Sequence, residues 1–197
     1  MKIVFATGNA GKLREAAGIL GPDFEIVTPA DMGITEDIEE TGSTLKENSI
    51  IKARYIHEHT GLDCFADDTG LEVDFLDGAP GVHSARYATD GHDFAANVRK
   101  LLAEMEECPA GKRTAHFRSV VTLIWKGEEH YFIGDMPGSI ALSGAGNGGF
   151  GYDPVFIADA FPGHTLAELP IECKNSISHR GQSLRAMAEW LKKETSR

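Results

Sequence analysis

The chain has 197 residues, 42% hydrophobic and 25% charged, with a formal net charge of −11. That length supports one domain, divided at most into two lobes, with a core large enough to bury. The acidity argues against a nucleic-acid polymer as partner, because binding its backbone needs clustered Lys and Arg; a nucleotide stays compatible, since only its pocket must be positive. The three cysteines, Cys64, Cys108 and Cys173, form no C-x-x-C pair, which disfavours a disulfide framework or zinc ribbon and favours a reducing compartment. No apolar run reaches membrane-spanning length and the opening residues read as a core strand, so a cytoplasmic protein is expected.

In chain order, Lys2 to Ala6 reads as a buried strand, Thr7 to Lys12 as a glycine-containing turn, and Leu13 to Leu20 as a helix. Such a turn suits a phosphate, because glycines let backbone N–H groups face a ligand and the first helical turn has unpaired donors. Lys12 adds a full charge. The turn is not a P-loop: Gly11-Lys12 is followed by Leu13, where a metal-binding hydroxyl is required. The plainer reading is an ordinary strand-to-helix turn.

Phe24 to Val27 predicts a second strand, and Asp37 to Thr41 an acidic loop. Thr44 and Glu47 form a capping box, with a helix running to about His59. A strand over Leu62 to Ala66 is expected to end at Asp67-Asp68-Thr69-Gly70, at the edge where open α/β sheets bind ligands. Adjacent carboxylates point to opposite sides, so one can face a ligand while the scaffold holds the other. With Glu39 or Glu40 they could bind a hard cation such as magnesium; alternatively Asp68 simply closes a turn at Gly70. Lys52, one turn after Asn48, points at phosphate or at solvent.

Gly78 to Gly81 is a turn, Asp93 to Glu106 an amphipathic helix, and Thr114 to Trp125 a strand with one buried face. Lys126 to Glu129 turns it into a second strand, His130 to Ile133; a third is expected over Ser139 to Leu142. Gly144, Gly146 and Gly149 spell G-x-G-x-x-G, but the residues after them contain Pro154 and read as a strand, not the helix a dinucleotide fingerprint opens. These glycines with Phe150 and Tyr152 suggest a backbone passing close to a flat ligand; a mobile loop with a buried Phe is the alternative. Ser178 caps a final helix whose start, His179-Arg180, can donate to an anion or to carbonyl oxygens. No serine or cysteine stands in an activating context, which disfavours covalent catalysis. Helices interleaved with strands, plus one hairpin, define an α/β protein with a mixed sheet.

Taken together, Thr7-Gly8-Asn9-Ala10-Gly11-Lys12, Glu39-Glu40-Thr41-Gly42, Glu47-Asn48, Lys52-Ala53, Ala66 to Leu71, Gly78 to Gly81, Ser84 to Tyr87, Gly148 to Pro154, Lys174 and Ser178 to Gly181 resemble the inosine triphosphate pyrophosphatase family. They follow the family's order across nearly the whole chain, residues 1–197 forming one such domain; Gly91 to Ser143 match least.

The resemblance implies an elongated, two-lobed α/β fold with a mixed central sheet flanked by helices, a cleft between the lobes, and a homodimer. It implies hydrolysis of deaminated purine nucleoside triphosphates (ITP, dITP and XTP) to the monophosphate and pyrophosphate. Asp68 would be the general base and, with Glu39, would hold Mg2+. Thr7, Gly8, Asn9, Ala10, Gly11, Lys12, Lys52 and Thr69 would cradle the triphosphate. Phe150 would stack on the base within the Phe150-Gly151-Tyr152 segment, and Asp153, Lys174, His179 and Arg180 would read the base edge. Thr69 departs from the serine common in bacterial relatives but keeps the hydroxyl. The rival readings are a pyrophosphatase for pyrimidine or methylated nucleotides, and a nucleotide-binding regulatory module without turnover.

Overall fold

The computed structural model of the chain describes residues 1–196. Six strands form one mixed sheet: β1 (Lys2–Phe5), β2 (Glu25–Val27), β3 (Cys64–Val73), β4 (Thr114–Trp125), β5 (Glu128–Ile140) and β6 (Phe156–Ala158), in the order β2-β1-β3-β4-β5-β6. Its helices are α1 (Ala10–Leu20), α2 (Leu45–Thr60), α3 (Phe94–Glu104), α4 (Ile171–Ile177) and α5 (His179–Thr195). β1 runs parallel to both β2 and β3, with Ile3 opposite Ile26 and Phe5 opposite Phe65. Ile3, Val4 and Phe5 are all fully buried, as a strand covered on both faces requires. β5 and β6 pair antiparallel.

Two expectations need correction. β3 does not end at Asp67-Asp68 but continues through Thr69 and Gly70 to Val73. The buried Leu71 and Val73 extend its apolar alternation, and Gly70 is accommodated within the strand, so the two carboxylates sit in its middle. The segment expected as a separate third strand near Ser139 is the end of a single strand, β5, that runs unbroken from Glu128. The hairpin before it turns on Lys126 and Gly127, both at positive φ.

The chain divides into two compact units: Met1–Asp68, Ser119–Gly134 and the segment from Arg180 form the first, Thr69–Arg118 and Asp135–His179 the second. In the first, Phe5 and Phe65 stack with ring centroids 4.3 Å apart, among Leu184, Met187 and Leu191 of α5. A second cluster there gathers Val4, Ala53, Ile56 and Ala66. The other unit's core gathers Leu71, Val73, Leu101, Met105, Tyr152 and Phe156. Each fully buried side chain of this size contributes about 1.5–3 kcal/mol.

Two buried hydroxyl pairs set the first unit's helices relative to β4. Ser49 of α2 meets Thr122 at 2.7 Å, and Ser183 of α5 donates to Ser119 at 3.1 Å. A buried hydroxyl without a partner costs roughly 1–3 kcal/mol, so each pair fixes the helix in register. Lys52 lies one turn beyond Ser49 and Arg180 one turn before Ser183. The pairs therefore place both cations.

Candidate active site

The first unit holds a charged cluster built from four elements. At the end of β1 the chain turns through Thr7, Gly8 and Asn9 into α1. Asn9 is the N-cap: its side chain accepts from Gly11 N (2.8 Å) and Lys12 N (3.2 Å), and the Thr7 hydroxyl accepts from Asn9 N (3.1 Å). These caps start the helix at Ala10, three residues before the sequence expectation. They also occupy three of the turn's N–H donors with its own side chains, which leaves Lys12 as its main charge.

Lys12 Nζ donates to Asp67 Oδ1 at 2.8 Å, and Arg180 Nε donates to the other oxygen of the same carboxylate at 3.1 Å. Arg180 also reaches Glu15 at 3.4 Å. Asp67 is almost completely buried. Burial alone raises a carboxyl's pKa, but the Lys12 and Arg180 charges outweigh it and hold Asp67 near a pKa of about 2. It is an anion at every ordinary pH, tying together the starts of α1 and α5. The apolar Phe65-Ala66 before it was the sequence signal that this carboxylate would be inside.

Asp68, the next residue on β3, faces a second lysine. Lys52 Nζ lies 2.5 Å from Glu40 and 3.5 Å from Asp68 Oδ1. Asp68 Oδ2 is buried and accepts no hydrogen bond, and the neighbouring Thr69 hydroxyl is likewise buried without a partner. Asp68 has its pKa raised, first by burial; Lys52 opposes this and the nearby Glu40 and Asp67 charges add to it. A carboxylate destabilised in this way is a stronger base. Lys52 has its pKa raised, because although burial pulls it down the Asp68 and Glu40 charges prevail, so it stays cationic.

The acidic loop contributes Glu40 to this cluster through its contact with Lys52; Glu39, the metal ligand that the resemblance implies, and Glu40 are both solvent-exposed residues. The loop is held by the buried Asn48, whose carbonyl oxygen accepts from Gly42 N at 2.8 Å, and by the Thr44–Glu47 capping box. A Cβ on Gly42 would lie 2.6 Å from Glu47 Cβ and 2.9 Å from Asn48 N, so only glycine allows the loop to seat.

These residues fit a hard divalent cation. Magnesium takes oxygen ligands, commonly one or two carboxylates plus substrate phosphates, and the Asp68 and Glu40 carboxylates with the unpartnered Asp68 Oδ2 supply such donors. Among the described residues no larger cluster of His, Cys, Asp or Glu offers an all-protein metal cage.

The second unit contributes the other expected residues. The glycine-rich loop carries Phe150 with 71% of its surface exposed. The loop is pinned by Gly148 N donating to Ala167 O at 3.0 Å and by Asp153, whose carboxylate accepts from Phe150 N (3.3 Å) and Lys174 Nζ (3.2 Å). Gly149 has a φ of 79°, and a Cβ there would fall 1.9 Å from Asp153 Oδ2. Gly151 also adopts positive φ. Tyr152 is placed differently from the sequence reading: its ring is buried and its hydroxyl donates to Ser84 O at 2.8 Å, so it anchors the loop. His179 stacks on Phe117 with centroids 5.2 Å apart and planes within 14°. The structure thus gathers Lys12, Lys52, Asp68 and Arg180 in the first unit, and Phe150, Asp153, Lys174 and His179 in the second. Sequence reasoning left Glu15 without a role, and it left open which of Asp67 and Asp68 the scaffold holds; the structure gives that part to Asp67.

The fold and these clusters define an α/β protein whose first unit gathers carboxylates with lysine and arginine side chains. A sequence profile of the Ham1 family matches residues 3–190. A protein of Porphyromonas gingivalis named dITP/XTP pyrophosphatase is 50% identical over 192 residues, 96% of this chain and 97% of its own. One of the same name from Christiangramia forsetii is 46% identical over 193 residues, 98% of this chain and all of its own. The solved structure of the Staphylococcus aureus Ham1 protein has a TM-score of 0.91 at 35% identity, covering 98% of this chain and all of that one. The chain belongs to the Ham1 family. Among the described residues no helix is long and apolar enough to cross a membrane.

Proposed function

We propose that this protein hydrolyses deaminated purine nucleoside triphosphates, dITP, ITP and XTP, to the monophosphate and pyrophosphate. The observation that carries this is the Asp68 site: a half-buried carboxylate with one buried, unpartnered oxygen and a raised pKa, beside a lysine that also pairs with a second carboxylate. The names of the relatives support the substrate class.

Displacement at phosphorus depends on charge neutralisation and an aligned water more than on a protein nucleophile. In this reading Asp68 takes the proton from the attacking water. Lys12 and Lys52 bind the triphosphate with the Thr7–Lys12 turn, and Thr69 offers its buried hydroxyl to the same end. Asp68, with Glu39 or Glu40 from the acidic loop, would hold magnesium, which would offset triphosphate charge. Phe150 stacks on the base, while Asp153, Lys174, His179 and Arg180 meet its edge. Donors there favour a six-position carbonyl over the amino group of adenine, since each mismatched buried polar group costs about 1–3 kcal/mol. The working form in this reading is a cytoplasmic homodimer, the dimer as the sequence resemblance implies.

The test is steady-state pyrophosphate release with magnesium from dITP, XTP, dATP, dGTP and dTTP. The expected kcat/KM for dITP and XTP exceeds that for dATP by a hundredfold or more, on the scale of two such mismatches at about 1–3 kcal/mol each. Preference for a pyrimidine triphosphate would support the rival specificity. Tight binding of every nucleotide with no turnover would support a regulatory module.

A further inference from the structure

Phe150 is a large apolar ring on a loop, 71% exposed, and such exposure is costly unless something covers the ring in use. Its backbone N–H donates to the Asp153 carboxylate and its carbonyl accepts from Asp153 N, while Gly148 N ties the loop to Ala167 O; these are backbone bonds and leave the ring free. The ring's aromatic neighbour is Phe94, at a centroid distance of 6.2 Å and an interplanar angle of 61°. That is the edge-to-face arrangement aromatic pairs favour. An edge contact restrains a ring's rotation while leaving most of its face in solvent, and Phe150 remains 71% exposed with Phe94 in place.

Phe94 is itself 41% exposed, although it begins a helix whose next turn is firmly anchored. Asp93 caps that helix by accepting from Ala96 N at 2.9 Å. Asn97, one turn on from Phe94, is almost completely buried; it accepts from Ala88 N at 2.7 Å and donates to Ala85 O at 3.1 Å. An aromatic ring left in solvent at the start of so well fixed a helix contributes little to the core. It is placed where its edge meets another exposed ring.

We propose that Phe94 is a positioning residue for Phe150, its edge holding that ring in the orientation on which the substrate base stacks. The inference rests on the reading of Phe150 as the base-stacking residue and adds a determinant of nucleotide affinity outside the glycine-rich loop. Phe94 acts on binding and not on the phosphorus chemistry, so its loss shows in KM and not in kcat.

The experiment is a double-mutant cycle with Phe94→Ala and Phe150→Ala, measuring kcat and KM for dITP, with Phe94→Tyr as the conservative variant. Phe94→Ala is expected to raise KM about two- to tenfold, the worth of one aromatic pair, with kcat unchanged. Phe94→Tyr restores the parent KM, and Phe94→Ala has no further effect once Phe150 is alanine. A parent-like KM for Phe94→Ala overturns the inference, as does an equal rise in both backgrounds. If thermal melting shows Phe94→Ala to be poorly folded, Phe94→Leu replaces it: bulk without the aromatic edge must still raise KM, and a parent-like KM for it overturns the inference equally. If Phe150→Ala itself leaves KM unchanged, the base-stacking reading fails and the role of Phe94 goes with it; if Phe150→Ala raises KM and Phe94→Ala does not, only the Phe94 inference fails.

Discussion

Replacing Asp68 with asparagine is expected to lower kcat by a hundredfold or more, the typical contribution of a general base. The substitution keeps shape and volume while removing the charge and the basic oxygen. Because Asp68 Oδ2 accepts no hydrogen bond, the protein loses none at that atom, and circular dichroism should show an unchanged fold. A pH dependence follows from the same carboxyl. Burial raises its pKa, with Lys52 opposing and Glu40 adding to the effect. A base with a raised pKa is protonated sooner on acidification, so kcat/KM of the parent falls on the acid side as Asp68 takes up its proton. The asparagine variant lacks that limb. An asparagine variant that retains parent-like kcat removes Asp68 from the chemistry.

Replacing Asp67 with asparagine acts on stability. Asp67 is buried between Lys12 and Arg180, and its removal leaves two cations without their shared countercharge. Breaking a buried pair costs about 3–5 kcal/mol, which in a protein of this size lowers Tm by roughly 10 °C. Calorimetry at neutral pH measures it, and a parent-like Tm for the variant contradicts the arrangement. The sign of the pH dependence is fixed by the depressed pKa, about 2 against an ordinary 3.8. Such a group contributes stability above its unfolded pKa and loses it as pH falls through the folded one. The window therefore runs from about pH 4 to pH 2, and the amount is about 2 kcal/mol. The asparagine variant shows a shallower loss of Tm over that window. Arg180→Ala also strips a partner from Asp67, so its effect on base preference is best compared as a ratio between dITP and dATP.

Much of this was legible because local rules decide it. The Thr44–Glu47 capping box starts α2 where the motif places it, and alternation of apolar residues finds the bounds of β4, although its second half, Ser119 to Trp125, is buried on both faces and not on one. The ordered short motifs carry the family resemblance in the sequence itself. What escaped depends on neighbours distant in sequence. Nothing local says that Asp67 will accept from residues 55 and 113 positions away, as Lys12 and Arg180 are. Nor does Glu39-Glu40 reveal which carboxylate turns toward Lys52; Gly42 and Asn48 decide that by seating the loop. The end of β3 was misplaced because an Asp-Asp-Thr-Gly run carries turn propensity, which burial of Leu71 and Val73 overrides. The burial of the Tyr152 ring is not legible locally, since an aromatic beside glycines looks the same in sequence whether it faces a base or the core.

The central claim is that water, activated at Asp68, attacks the phosphorus nearest the nucleoside. Turnover of dITP in heavy-oxygen water, followed by phosphorus NMR of the products, tests it most directly. The account predicts dIMP and pyrophosphate in equal amounts, with the heavy oxygen in the monophosphate and none in the pyrophosphate. Heavy oxygen in the pyrophosphate, or dIDP and orthophosphate as the first products, would contradict it.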